Sequence, residues 1–361
     1  MRGYLALKGL GVFPGRFFGH IGGASGEAVY FQSYFFCWDI LTDPSYHGKI
    51  VISNSREVEN RWPMPEDIQS FMPHLAGLVI LGELVRPEPF NHFFSLDFYL
   101  KKNLISGFIP DNSELLRDLL QLAPTYSGGI DRKRERAISC SIRGPLNSGD
   151  DLKAVTAPRE FLWDLSLGET PDELYDLVVW DFGVSYRLMR AFRKSGCCLR
   201  TVPPTTDVHD IVALHPDGVV IAGGPLNGSI LSKIAGNLES LIGIRPVLGV
   251  GNGAIALASA LGMRIESLRD SHFGSDIPIE NCRTNEITSS YQSHAYSVSP
   301  GSIKDGSEIT YINVCDDTIE GFANAEYKAM GSFYSSSDDS TPTFINQYLS
   351  LLSEPVSIHN K

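Results

Sequence analysis

The most restrictive stretch of this chain is Arg245–Met263. Val247–Val250 is an apolar run too short for a helix, and it stops at glycine. Ala254–Leu261 is rich in Ala and Leu and reads as a buried helix. Between them lies Gly249-Val250-Gly251-Asn252-Gly253, a Gly-x-X-x-Gly turn from strand to helix. This is the pattern of a nucleophile elbow, in which the central side chain is exposed at the top of a parallel sheet. The central residue would ordinarily be Ser or Cys, and here it is Gly251.

A strand feeding a buried helix through so sharp a turn requires a layered α/β domain, and the surrounding sequence supplies one. From Leu174 onward strand and helix patterns alternate: Leu177–Phe182, Tyr186–Lys194, Cys197–Val202, Asp207–Leu214, Val219–Ala222, Ser229–Ile242. That spacing predicts a mainly parallel sheet covered on both faces. Antiparallel-looking segments follow at Glu286–Tyr291, Ala295–Val298 and Ile309–Val314, then a helix at Phe344–Leu352. Residues 1–150 read as a strand-rich mixed domain. Its strands are placed at Tyr4–Leu10, Gly11–Phe18, Gly26–Gln32, Leu75–Leu84 and Ala137–Ile142, and its helices at His92–Asn103 and Glu114–Leu122. The fold class is α/β, with domains at 1–150 and 174–361 and a linker at 151–173.

Composition excludes several roles. The 361 residues carry a formal net charge of −12 and no basic block, which argues against nucleic acid and anionic membranes as partners. No apolar run reaches the length of a membrane span. The first ten residues read as a strand interrupted by Lys8, not as a signal peptide, so a cytoplasmic location is expected. The six cysteines show no C-x-x-C spacing and read as free thiols; no metal site and no cofactor are expected.

The ordered set of motifs resembles a known family. Gly26-Glu27-Ala28-Val29-Tyr30-Phe31 followed by Ile40–Tyr46, Trp180-Asp181-Phe182-Gly183, Pro216-Asp217-Gly218 followed by Gly223-Gly224-Pro225, the elbow, and Gln292–Val298 together resemble the small subunit of carbamoyl phosphate synthetase. The resemblance covers nearly the whole chain. It implies a class I glutamine amidotransferase-like C-terminal domain and an N-terminal domain that docks on a large subunit. In that family an elbow Cys attacks glutamine, activated by a His that a Glu orients, because a thiol is little ionised at neutral pH. The ammonia released passes to the large subunit.

This chain departs from the family at the residues that carry the chemistry. The elbow Cys falls on Gly251. The family's His-Pro-Glu segment falls in the stretch around Tyr334, Ser335, Ser336 and Ser337, and no His occurs between His294 and His359 and no Glu between Glu326 and Glu354. In the glutamine pocket, a Gln falls on Ile255, an Asn on Ser293, a Gly on Ala295, and the second oxyanion-loop Gly on Leu226. Ser45, Gly224, Gly253, His294 and Tyr296 remain compatible, and Asn252 is polar where the family is apolar.

Other readings of the same residues stand beside this one. Ser229, Ser271 and Ser335–Ser337 offer hydroxyls, but none lies on an elbow, and an acidic Ser-rich stretch reads as a solvated loop. His294 reads as a structural hydrogen-bonding residue. The three elbow glycines also fit a phosphate turn at a helix N-terminus. Three functions follow: a non-hydrolysing small-subunit homologue that partners a large subunit, a repurposed enzyme or ligand-binding protein using the reshaped pocket, and a glutaminase working by another route.

Overall fold

The computed structural model describes residues 1–86, 94–121, 125–143, 151–164, 172–224, 228–336 and 342–353. The chain forms two compact units. One comprises Met1–Asp151 with Arg269–Ile277, the other Leu152–Leu268 with Pro278–Lys361.

The first unit is built on a closed seven-stranded barrel. Around the barrel run Arg2–Leu7, Gly11–Gly19, Ser106–Pro110, Gly77–Ile80, Ile50–Ser53, Ala24–Phe31 and Thr125–Asp131. The three consecutive pairings from Ser106–Pro110 to Ala24–Phe31 are parallel and the rest antiparallel. Alternate residues such as Leu5, Leu7, Tyr30, Ile50 and Ile52 fill its interior, as the two-residue strand period requires.

One sequence expectation fails here and two helices shift their bounds. Ala137–Ile142 is not a strand but part of a helix, Arg134–Arg143, while the strand is Thr125–Asp131, immediately before it. The helix buries Ala137 and Ser141, one turn apart, against that strand. A Cβ on Gly129 would lie 2.4 Å from the carbonyl oxygen of Ala137. Glycine, poor in strands on propensity, sits there because the helix packs on bare backbone. The helix expected from His92 begins at Leu96 after the cap Ser95; residues 87–93 lie outside the described residues. The expected Glu114–Leu122 helix is observed as Ser113–Leu120, capped by the side chain of Asn112.

The first unit also takes in a segment far away in sequence. Gln32 exchanges backbone hydrogen bonds with the 273–275 segment: its N–H donates to the Phe273 carbonyl at 2.8 Å, and its carbonyl accepts from Ser275 at 3.2 Å. Nothing in the local pattern at 269–277 announces this excursion.

The second unit contains the parallel sheet. Cys197–Val202, Tyr175–Asp181, Gly218–Ala222, Val247–Val250 and Ala329–Ser332 run parallel in that spatial order, and Ile319–Asn324 and Ser307–Asn313 continue the sheet antiparallel. Alternation along Leu177–Trp180 divides the core between the two faces. Val178 and Trp180 join Ile211, Leu238 and the helix Asn252–Ala260 on one side. Leu177 and Val179 join Leu188, Phe192, Phe344 and Tyr348 on the other. The 151–173 linker is partly structured: Asp151–Val155 is helical, and Phe161–Trp163 adds an antiparallel edge strand to the sheet. The two segments expected at 286–298 are one strand, Ile287–Val298.

Candidate active site

Parallel neighbours in register end at one level, so the segments following adjacent strands gather at one edge of the sheet. Val247–Val250 lies between Gly218–Ala222 and Ala329–Ser332. That edge therefore collects Gly223-Gly224, the elbow Gly251–Gly253, and Phe333–Ser336. Open α/β sheets bind ligands outside the carboxyl ends of their strands.

The elbow has the conformation its sequence predicts. Gly251 adopts φ 58° and ψ −125°, a backbone region that residues with a side chain occupy only under strain. Its N–H donates to the carbonyl of Ser332 at 2.7 Å, locking the turn to the neighbouring strand. The three glycines have different reasons to be glycine. A Cβ on Gly249 would lie 2.6 Å from Ala254 Cα, and one on Gly253 would lie 2.1 Å from the Ile221 carbonyl oxygen. Packing forces both. A Cβ on Gly251 would meet nothing within 4 Å. The space into which an elbow side chain would project is open.

Gly223 and Gly224 press on the strand-end turn beside them. Both have positive φ, and a Cβ would fall 1.9 Å from the Gly183 oxygen or 1.7 Å from the Phe182 oxygen. The Asn252 amide donates to the Gly224 carbonyl at 2.6 Å and straps the elbow to this loop. Leu226 lies outside the described residues, as does Ser337.

Asp181, in the motif Trp180-Asp181-Phe182-Gly183, holds the turn from inside. It accepts backbone N–H bonds from Gly183 and Val184 at 2.8 and 3.0 Å, and from Ala157 at 2.7 Å. Burial pushes its carboxyl above the usual range, and these three bonds oppose that push. The motif is structural.

On the third strand end, Tyr334 is buried against Tyr311 and Phe344. Burial raises its hydroxyl well above the ordinary tyrosine value, with Tyr311 adding to the effect. Ser335 pairs with Tyr291 in the sheet, and the Ser336 carbonyl accepts from Arg187 at 3.3 Å. These three positions carry hydroxyls and no imidazole or carboxylate.

The remaining candidates separate by depth and face. Ile255 is fully buried in the core. Along Ile287–Val298 the strand alternation divides Gln292, His294 and Tyr296 from Ser293 and Ala295. His294 is almost wholly buried: Nδ1 donates to the Tyr296 carbonyl at 2.8 Å, and Nε2 lies 3.2 Å from both Gln292 Oε1 and Glu320 Oε2. The His294 and Glu320 side chains are 1% and 0% exposed, which keeps substrate from the pair. Sequence reading missed Glu320, a single acid in the apolar run Ile319–Phe322. Only the shared face of Gln292 and His294 hinted at a polar cluster there. Ser45 belongs to the other unit, where its N–H bonds to the Asp43 carboxylate at 2.8 Å and closes the Asp43-Pro44-Ser45 turn.

Comparison with known proteins agrees with this architecture. Residues 5–118 match the CPSase domain of the carbamoyl-phosphate synthase small chain, and residues 178–333 match class-I glutamine amidotransferase. The carbamoyl phosphate synthase small chain of Syntrophotalea carbinolica is 32% identical over 346 residues, covering 92% of each chain. The chain belongs to the carbamoyl phosphate synthase small-chain family. The small chain of Akkermansia muciniphila is 31% identical over 332 residues, covering 90% of this chain and 89% of its own length. That of Bacillus caldolyticus is 26% identical and covers 98% and 97%. Family membership thus extends across both units.

Proposed function

We propose that this protein is a small-chain homologue that no longer hydrolyses glutamine and serves as a structural or regulatory partner of a carbamoyl phosphate synthase large chain. The observation that carries this reading is the elbow itself. Its backbone keeps the strained conformation and the open Cβ space of a nucleophile position, yet Gly251 has no atom able to form a thioester. Support comes from the third strand end, where Tyr334, Ser335 and Ser336 supply no imidazole base. Without nucleophile and base, no acyl-enzyme can form and ammonia has no source in this chain.

The small-chain relatives are named for an enzyme that makes carbamoyl phosphate, and the family normally pairs with a large subunit. The retained turn at Asp43–Ser45, in the unit that matches the small-chain model, supports docking of the same kind. On this reading the large chain works on free ammonia while this chain holds it in a productive or regulated state. The test has two arms. Purified protein incubated with glutamine should release no ammonia above a protein-free control; release at the rate of an active small chain would refute the loss of glutaminase. Tagged protein expressed with the large chain of its own cell should copurify with it in a stable complex. Absence of any such complex would remove the partner role.

A further inference from the structure

Among the described residues six aromatic side chains are exposed, and five of them lie between residues 34 and 98 of the first unit. The sixth is Phe161, so none falls in residues 178–333, the part that matches class-I glutamine amidotransferase. Contacts within the first unit gather the segments that carry them. Phe36, directly after Tyr34 and Phe35, packs edge-on against Trp38 at 5.0 Å between ring centroids. The Arg61 guanidinium lies over the Trp38 ring at 3.9 Å and donates to the Asp67 carboxylate at 2.7 Å. Trp62, next in sequence, meets Phe98 at 6.4 Å. The run leading to Phe71 and Met72 is tied to Thr42, where the Gln69 N–H donates to the hydroxyl at 2.8 Å and the Ser70 hydroxyl to the carbonyl at 2.6 Å. Tyr34 is 85% exposed, Phe35 83% and Phe71 68%, while Met64, Met72 and Phe98 lie between 39% and 53%. At about 200 Å² for a side chain of this size, these six leave about 700 Å² of mostly apolar surface in water. The largest apolar patch on a typical monomer is about 300–600 Å². One side of a standard protein interface is about 800 Å².

We propose that this aromatic surface of the first unit is the face on which the large chain docks, an inference that rests on the partner role proposed above. The net charge of −12 opposes an anionic membrane as the occupant. Aromatic residues, Met and Arg are the types enriched at the buried centre of protein interfaces. Arg61 is held by Trp38 and Asp67 before any partner arrives, and aromatic rings have few torsions to lose, so the ordering cost of binding is small. The surface lies within residues 5–118, which match the small-chain model, and not in the part that matches the amidotransferase class at large. A surface confined to the small-chain part selects the partner of small chains over a second copy of this chain.

The affinity of the full-length protein for the purified large chain of its own cell, measured by biolayer interferometry, tests this. Phe35→Ser and Phe71→Ser each alter an exposed side chain and leave the fold intact, and each should weaken the complex about tenfold or more. Ile287→Ser, at an exposed apolar residue of the second unit, should leave the affinity unchanged. Wild-type affinity in both phenylalanine variants would overturn this docking surface while leaving the partner role standing. No complex with the wild-type protein would remove both. Light scattering that shows a wild-type dimer broken by the same two variants would assign the surface to a second copy and overturn the proposal.

Discussion

Replacing the elbow glycines one at a time separates backbone strain from steric exclusion. Gly251→Ala or Gly251→Cys places a Cβ in open space, so only the backbone conformation is penalised. Holding a residue with a side chain at φ 58°, ψ −125° costs about 1–3 kcal/mol. Gly253→Ala instead drives a Cβ to 2.1 Å from the Ile221 oxygen and 2.6 Å from its carbonyl carbon. Those atoms belong to a central strand and cannot move aside without disturbing Gly218–Ala222. A cost of about 3 kcal/mol or more is expected, at the upper end for overpacked positions. Urea unfolding followed by far-ultraviolet circular dichroism should rank wild type above Gly251→Ala, and Gly251→Ala above Gly253→Ala. The Gly251→Cys protein should fold and still release no ammonia from glutamine, since Tyr334, Ser335 and Ser336 provide no base. Equal stability of wild type and Gly253→Ala would refute the packing argument. Glutaminase activity in Gly251→Cys would refute the chemical one.

Further perturbations probe other parts of the chain. Burial, followed by the nearby His47, pushes His74 from its usual 6.5 down to about 4. Between those values the unfolded chain binds the proton and the folded one does not, so stability falls as pH drops from 6.5 toward 4, by about 3 kcal/mol at full extent. A His74→Gln variant should show a flatter decline over that window; an unchanged slope would contradict it. Ile255→Ala removes a fully buried side chain and should cost about 2–5 kcal/mol in urea unfolding, whereas a residue on a pocket wall would cost little. Asp181→Ala strands the buried N–H groups of Gly183 and Val184 and the half-buried one of Ala157, each of the buried pair worth about 1–3 kcal/mol of desolvation; a near-neutral effect would show that water replaces the carboxylate.

The parallel α/β architecture and the elbow are written in local sequence pattern. Val247–Val250 and Tyr186–Lys194 carry their structure in local patterns, apolar continuity in one and helical spacing with a glycine stop in the other. The glycine at the centre of Gly-x-X-x-Gly was legible for the same reason, since it needs no coordinates to be seen. Tertiary structure decided what depends on partners distant in the chain. Thr125–Asp131 is a strand despite two glycines because a helix packs on its backbone, and Ala137 is helical because that packing needs its face. The 269–277 segment pairs with Gln32 through backbone bonds that leave no mark on side-chain pattern. Ile255 looked like an altered pocket residue, and burial alone shows it as core. Above all, sequence gives Gly249, Gly251 and Gly253 the same letter. Only the neighbouring atoms show that two are glycine because nothing else fits, and that the middle one stands beside room for a side chain it does not have.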